Sequence, residues 1–208
     1  FDSIVLRDIV ARYRIRNVNF LLDLIRFLAD NIGNSFSAKK ISDYLKSQKI
    51  HVQPKQILEY LQYLESVYFI EKAKRMDVVG KKIFETGDKY YFEDLGMRNA
   101  LRTFHQKDMG QILENLVYHH LRAVGYEVYV GKADNKEIDF MATRNGKWQY
   151  IQVAFMIADE KTHQREFGNL LQIGDNHPKM VVSMDFAVDS SYKGVEHWGI
   201  LKFLTEFK

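Results

Sequence analysis

Glu137-Ile138-Asp139-Phe140-Met141, then Asn145-Gly146, then Trp148-Gln149-Tyr150-Ile151-Gln152-Val153-Ala154-Phe155 decide the fold of this 208-residue chain. The first and third stretches are rich in aliphatic, aromatic and β-branched residues, and Asn-Gly is the dipeptide that best tolerates the two positive φ angles of a tight hairpin turn. They predict two antiparallel strands. Residues 150–155 form a nearly unbroken run of β-formers, the pattern of a strand covered on both faces, so this strand is expected at the centre of its sheet. Upstream, Glu127 to Val130 reads as a further strand, joined to the pair across a polar tip from Gly131 to Asn135. Before it, Asp108 is placed to cap a helix from about Met109, with Ile112, Leu113, Leu116, Val117, Leu121 and Val124 inward and Gly125 at its end. Downstream, a helix over roughly 160–172 and a strand at Met180–Met184 complete the order helix, three strands, helix, strand.

The first half has a different period. A short helix over 3–14 carries Arg7, Arg12 and Arg14, followed by Arg16, and a stronger amphipathic helix has Val18, Leu21, Leu22, Ile25 and Leu28 at three- and four-residue spacing. Asn31-Ile32-Gly33 ends it, Ser37 caps a helix holding Ile41 and Leu45, and Pro54 suits the first turn of another with Ile57, Leu58, Leu61 and Leu64. Strand-like Val67–Ile70 and Tyr90–Phe92 flank a long polar stretch. Three helices and a β-hairpin are the order of a winged helix, here with an unusually long wing over 70–90. A linking helix follows Asp94. The expected organisation is therefore α/β (α+β overall), with a winged-helix-like domain over 1–104 and an α/β domain with a central mixed sheet over 105–208.

Composition narrows the functions. At 46% hydrophobic and 27% charged the chain is ordinary globular material, which excludes disorder as its main state. Two Pro and 12 Gly exclude a collagen-like chain, and zero Cys excludes a disulfide framework, a thiolate zinc site and a cysteine nucleophile. No apolar run is long enough to span a bilayer, so no membrane partner and a cytoplasmic location are expected. Phe1 in place of an initiator Met leads us to expect a piece of a longer polypeptide. Within a net charge of +3 the first half is basic and the second slightly acidic, which points to two units with different partners.

Glu114 in the first helix of the second half, Asp139 in its second strand and Gln152-Val153-Ala154 at the end of its third resemble the site of the PD-(D/E)XK, or restriction-endonuclease-like, fold. The resemblance implies that the strand acid and the first acid of a third-strand E-x-K motif hold a divalent ion, while the Lys activates water. Magnesium prefers hard anionic oxygens, and a spacing of two puts both groups on one strand face. This chain departs from the motif at both motif positions: Gln152 brings no charge and Ala154 no ammonium. Glu137 is expected on the strand face of Asp139, and Lys136 or Lys161 are the lysines placed to substitute. Arg16-Asn17-Val18, Leu28–Gly33, Tyr90–Asn99, Glu114–Tyr118, Glu137–Phe140 and Tyr150–Val153 together resemble the C-terminal region, of unknown function, of a large family of prokaryotic AAA+ ATPases. That resemblance implies an upstream ATPase domain, and ATP belongs there: the chain itself has no G-x-x-x-x-G-K-[ST].

Glu114, Asp139 and Gln152 are thus the candidate catalytic set, in degenerate form. Lys72, Lys74, Arg75, Lys81 and Lys82 are the candidate nucleic-acid contacts, expected along one edge of the wing. No metal ligand and no cofactor are expected in this chain. The expected function is a non-catalytic recognition module of an AAA+ ATPase that binds nucleic acid or a partner protein. Two alternatives stand beside it, an active Mg2+-dependent nuclease and a purely protein-interacting or oligomerising domain. No Ser/His/Asp pattern is visible in the sequence.

Overall fold

The computed structural model describes residues 5–102, 105–185 and 189–208. The junction expected at residue 104 lies outside the described residues. Internal contacts divide the chain into one unit of residues 1–72 with 86–105 and a second of residues 73–85 with 106–208.

The first unit holds helices α1 (Val5–Tyr13), α2 (Val18–Asp30), α3 (Ala38–Ser47), α4 (Pro54–Ser66) and α5 (Leu95–Leu101), with strand β1 (Ile70–Ala73) paired to β3 (Lys89–Phe92). The starts of α2 and α3 follow their capping residues. The Asn17 side chain accepts from Phe20 N–H and Ser37 Oγ from Lys40 N–H, which satisfies donors that the first helical turn leaves open. Leu21, Leu24, Ile25, Ile41, Ile57, Leu61 and Leu64 merge into one buried core with Phe69 and Phe92. Arg98 is fully buried, and its Nε donates to the Ala29 carbonyl at 3.2 Å.

The second unit is built on a seven-stranded sheet in the order β2-β4-β5-β6-β7-β9-β8, where β2 is Arg75–Asp77, β4 Glu127–Ala133, β5 Lys136–Arg144, β6 Lys147–Ala154, β7 Lys179–Ser183, β8 Asp189–Tyr192 and β9 Val195–Gly199. Strand β6 is the middle strand, as its uniform apolarity implied. It pairs antiparallel with β5 through the Asn145-Gly146 turn, where both residues have positive φ, and parallel with β7 through helix α7 (Glu160–Leu171). Phe140 lies opposite Ile151 and Met141 opposite Tyr150, so these two pairs point to opposite faces. On one face Tyr118 of α6 (Met109–Ala123) meets Phe140 at 6.0 Å between ring centroids. On the other, Phe167 and Leu170 of α7 pack with Met141, Tyr150 and Val181. Helix α8 (Ile200–Glu206) lies beside α6, with the His120 and Phe203 rings 5.1 Å apart. The result is a helix, three strands, helix, strand core, an α/β fold with a central mixed sheet.

The long wing is corrected. Residues 73–85 do not extend the first unit: β2 pairs parallel with β4, Met76 opposite Gly131, and Val78 N–H donates to the Lys132 carbonyl. Met76 and Val78 alternate with polar neighbours and bury their side chains against Ile138 and Met141. This two-residue apolar period covers the edge of β4, an edge that would otherwise present unpaired backbone groups.

Candidate functional site

The site begins with an irregularity in β5. Tyr129 lies opposite Met141 and Gly131 opposite Ile138, so three steps on β5 face two on β4. The extra residue forms a bulge within 138–141, the segment that contains Asp139. Gly131 makes the bulge possible: a Cβ there would stand 2.9 Å from both Ile138 Cβ and Met141 Cγ. Alternation is interrupted inside this segment, so the period-two argument placing Glu137 on the face of Asp139 does not carry across it.

Asp139 and Gln152 come together across β5 and β6. Both are buried, at 8% and 7% exposure. Val153 N–H donates to Asp139 Oδ2 at 2.8 Å, and Asp139 N–H donates to Gln152 Oε1 at 3.4 Å, a long contact. One carboxylate oxygen and one amide oxygen thus serve the backbones of adjacent strands. Ala154 is buried as well. Glu114 is half-buried on α6, one turn before Tyr118, and this puts it on the helix side that packs over β5 at Phe140. The two substitute lysines are exposed, Lys136 at the start of β5 and Lys161 in the first turn of α7.

The five basic residues do not share one edge. Lys72 ends the first unit's contribution and lies 3.7 Å from Glu65. Lys74, Arg75, Lys81 and Lys82 belong to the second unit. Lys74 and Lys82 are exposed, and Arg75 stacks over Phe84 at 5.8 Å. Lys81 turns inward, its Nζ donating to the Tyr150 hydroxyl at 2.5 Å.

Sequence reasoning missed one constellation, because its members lie on two strands that are neighbours only in the folded sheet. Ser183 at the end of β7 donates to Asp185 Oδ2 at 2.9 Å, and its Oγ lies 2.8 Å from His197 Nε2 on β9. Asp185 Oδ2 also accepts from Ile157 N–H at 2.9 Å. The serine stands between imidazole and carboxylate, and it is fully buried. A nucleophilic triad needs the carboxylate on the far side of the imidazole and the hydroxyl open to substrate, so this cluster ties β7 to β9 instead. Burial pushes the His197 imidazole below its ordinary pKa, against the upward pull of Asp185 and with a further push down from His163.

The chain belongs to a family described as a domain of unknown function, DUF8612, which matches residues 1–108. An uncharacterized protein of Haemophilus influenzae is 38% identical over 196 residues, covering 94% of this chain and 48% of that protein. Uncharacterized protein MJ1544 of Methanocaldococcus jannaschii is 33% identical over 169 residues, covering 79% of this chain and 37% of its own length. The chain therefore spans half or less of the curated relatives it matches. Among solved structures, Can2 from Sulfobacillus thermosulfidooxidans in complex with cyclic tetra-adenylate aligns at 14% identity over 92% of this chain and 50% of that one, with a TM-score of 0.30. No helix among the described residues is long and apolar enough to cross a membrane.

Proposed function

We propose that this chain is a recognition module that binds nucleic acid without cutting it. The carrying observation is the Asp139–Gln152 pairing. The one strand carboxylate retained from the nuclease-like motif accepts a backbone hydrogen bond, its partner position carries a neutral amide, and Ala154 supplies no ammonium. Hydrolysis of a phosphodiester needs anionic oxygens on a metal and an activated water, and both lose their support here. For binding, the reading draws on the edge of the second unit's sheet: exposed Lys74 and Lys82 with Arg75 beside them, and Lys132 reaching over the Phe84 ring at 5.4 Å. Phosphate contacts of this kind set affinity and its salt dependence. The winged-helix-like arrangement of α1–α4 with β1 and β3, and an ATPase domain in the part of the relatives outside this chain, belong to the same proposal.

A titration with single- and double-stranded DNA and with RNA at several salt concentrations tests it. Wild type should bind with a steep salt slope, and Lys74→Glu with Lys82→Glu should weaken binding and flatten that slope by about two phosphate contacts' worth. Unchanged affinity and slope in the double variant would remove this edge from the interface. Failure to bind any of the three at low salt would sink the reading in favour of a protein partner.

A further inference from the structure

A cavity of about 680 Å³ opens in the second unit between the turn after β2, the β4–β5 turn and the loop from α7 to β7. Asp77, Lys81, Asp134, Lys136, Asp175 and His177 are the titratable residues of its lining, and Val78 and Ile173 form part of its apolar wall. Lys81 has a φ of +52°, a left-handed backbone that costs a non-glycine residue energy and is kept where the surroundings enforce it. Its side chain lies over the rings of Tyr150 at 4.7 Å and Trp148 at 4.8 Å. Its Nζ donates to the Tyr150 hydroxyl at 2.5 Å, which in turn donates to Asp175 Oδ2 at 2.5 Å. Lys179 Nζ pins the same loop by donating to the carbonyls of Asp175 at 2.5 Å and His177 at 3.2 Å.

We propose that this cavity binds a small uncharged carbonyl compound, an aldehyde or ketone, and that Lys81 captures it as an imine. The geometry makes the amine a positioned group: a cavity of ligand size, an aromatic seat and a hydroxyl relay converge on one nitrogen. Three carboxylates face two lysines around the wall, so the lining does not favour an anionic ligand. Burial lowers the Lys81 ammonium from its ordinary range, against the upward pull of Asp175 and Asp77, which enlarges the neutral amine fraction. In the capture step the ammonium proton leaves along Tyr150 to the half-buried Asp175 and on to water. The free nitrogen then attacks the carbonyl carbon, and one of its two hydrogens passes to the carbonyl oxygen to give a carbinolamine. The second hydrogen leaves the nitrogen as the C–O bond breaks and the oxygen departs as one water, which leaves the C=N bond with no oxidant or reductant involved. None of this depends on the nucleic-acid reading, which uses Lys74 and Lys82.

Propanal with sodium cyanoborohydride at pH 7, followed by peptide mass mapping, traps the imine as a propyl amine. Lys81 should label faster than its exposed neighbour Lys82, because the cavity holds the carbonyl beside it and burial enlarges its neutral amine fraction. Its rate should saturate with propanal while that of Lys82 stays linear. Tyr150→Phe, which removes the relay hydroxyl, should slow the labelling of Lys81 without altering Lys82. Asp175→Asn, which removes a charge favouring the ammonium, should move the Lys81 pH midpoint downward. Labelling of Lys81 no faster than Lys82, or linear in propanal, overturns the proposal, as does an unmoved midpoint in Asp175→Asn.

Discussion

Replacing Asp139 separates a structural role from a catalytic one. Asp139→Ala removes the oxygen that accepts Val153 N–H at 2.8 Å and leaves that donor inside the β5–β6 ladder. Losing the acceptor while its donor stays in place costs roughly 1–3 kcal/mol, so a loss of about 2 kcal/mol is expected. The two tryptophans, Trp148 and Trp198, both lie in the second unit, so tryptophan fluorescence follows that unit's unfolding in urea. With a urea slope of about 1–3 kcal/mol per molar, the midpoint should fall by about 1 M. Asp139→Asn keeps an amide oxygen at the same place and should recover about half of the loss or more. Cleavage of single- and double-stranded DNA with magnesium or manganese should be absent from all three proteins. A midpoint within about 0.2 M of wild type for Asp139→Ala, or robust metal-dependent cleavage by wild type that this variant abolishes, refutes the structural role and reinstates the nuclease.

Two further outcomes follow from close packing and from titration. Gly131→Ala forces a methyl against Ile138 Cβ and Met141 Cγ at 2.9 Å and should cost about 1–3 kcal/mol in the same tryptophan transition; an unchanged midpoint would show the bulge to be adaptable. His197 has a folded pKa below its unfolded value, so the unfolded chain takes up the proton first as pH falls. Stability of the second unit should hold above about pH 6.5 and decline below it. His197→Gln should flatten that decline in thermal unfolding measured from pH 7.5 to 5, and a wild-type profile flat over the same range would contradict the assignment.

The sheet was legible where apolarity and turn chemistry agree. Asn145-Gly146 fixed the β5–β6 register, and the unbroken run at Tyr150–Phe155 placed β6 in the middle, because both signals are local. Strand β2 was hidden. Its buried Met76, and Val78 just past its end, sit among charged residues, and only pairing with the distant β4 gives them a core to enter. Strand β8 escaped for the opposite reason. Asp189-Ser190-Ser191-Tyr192 is exposed along its whole length and carries no apolar period, so nothing but its hydrogen bonding to β9 makes it a strand.

The site divides in the same way. Asp139 and Gln152 are recognisable because the hairpin between them is local, but what they do is set by a bulge that depends on Gly131 lying opposite Ile138, and strict alternation cannot express it. Lys81 shows the larger gap. In the sequence it is one cation in a run of six between residues 72 and 89, and a run of cations reads as a solvated face. Pairing of β2 with β4 carries the following turn over the sheet, where Lys81, at positive φ, aims one ammonium at Tyr150 while its neighbour Lys82 stays in water. Two adjacent lysines with the same local propensity thus acquire different chemistry from a single long-range strand pairing. That is why the charge pattern suggested a nucleic-acid surface and concealed a cavity.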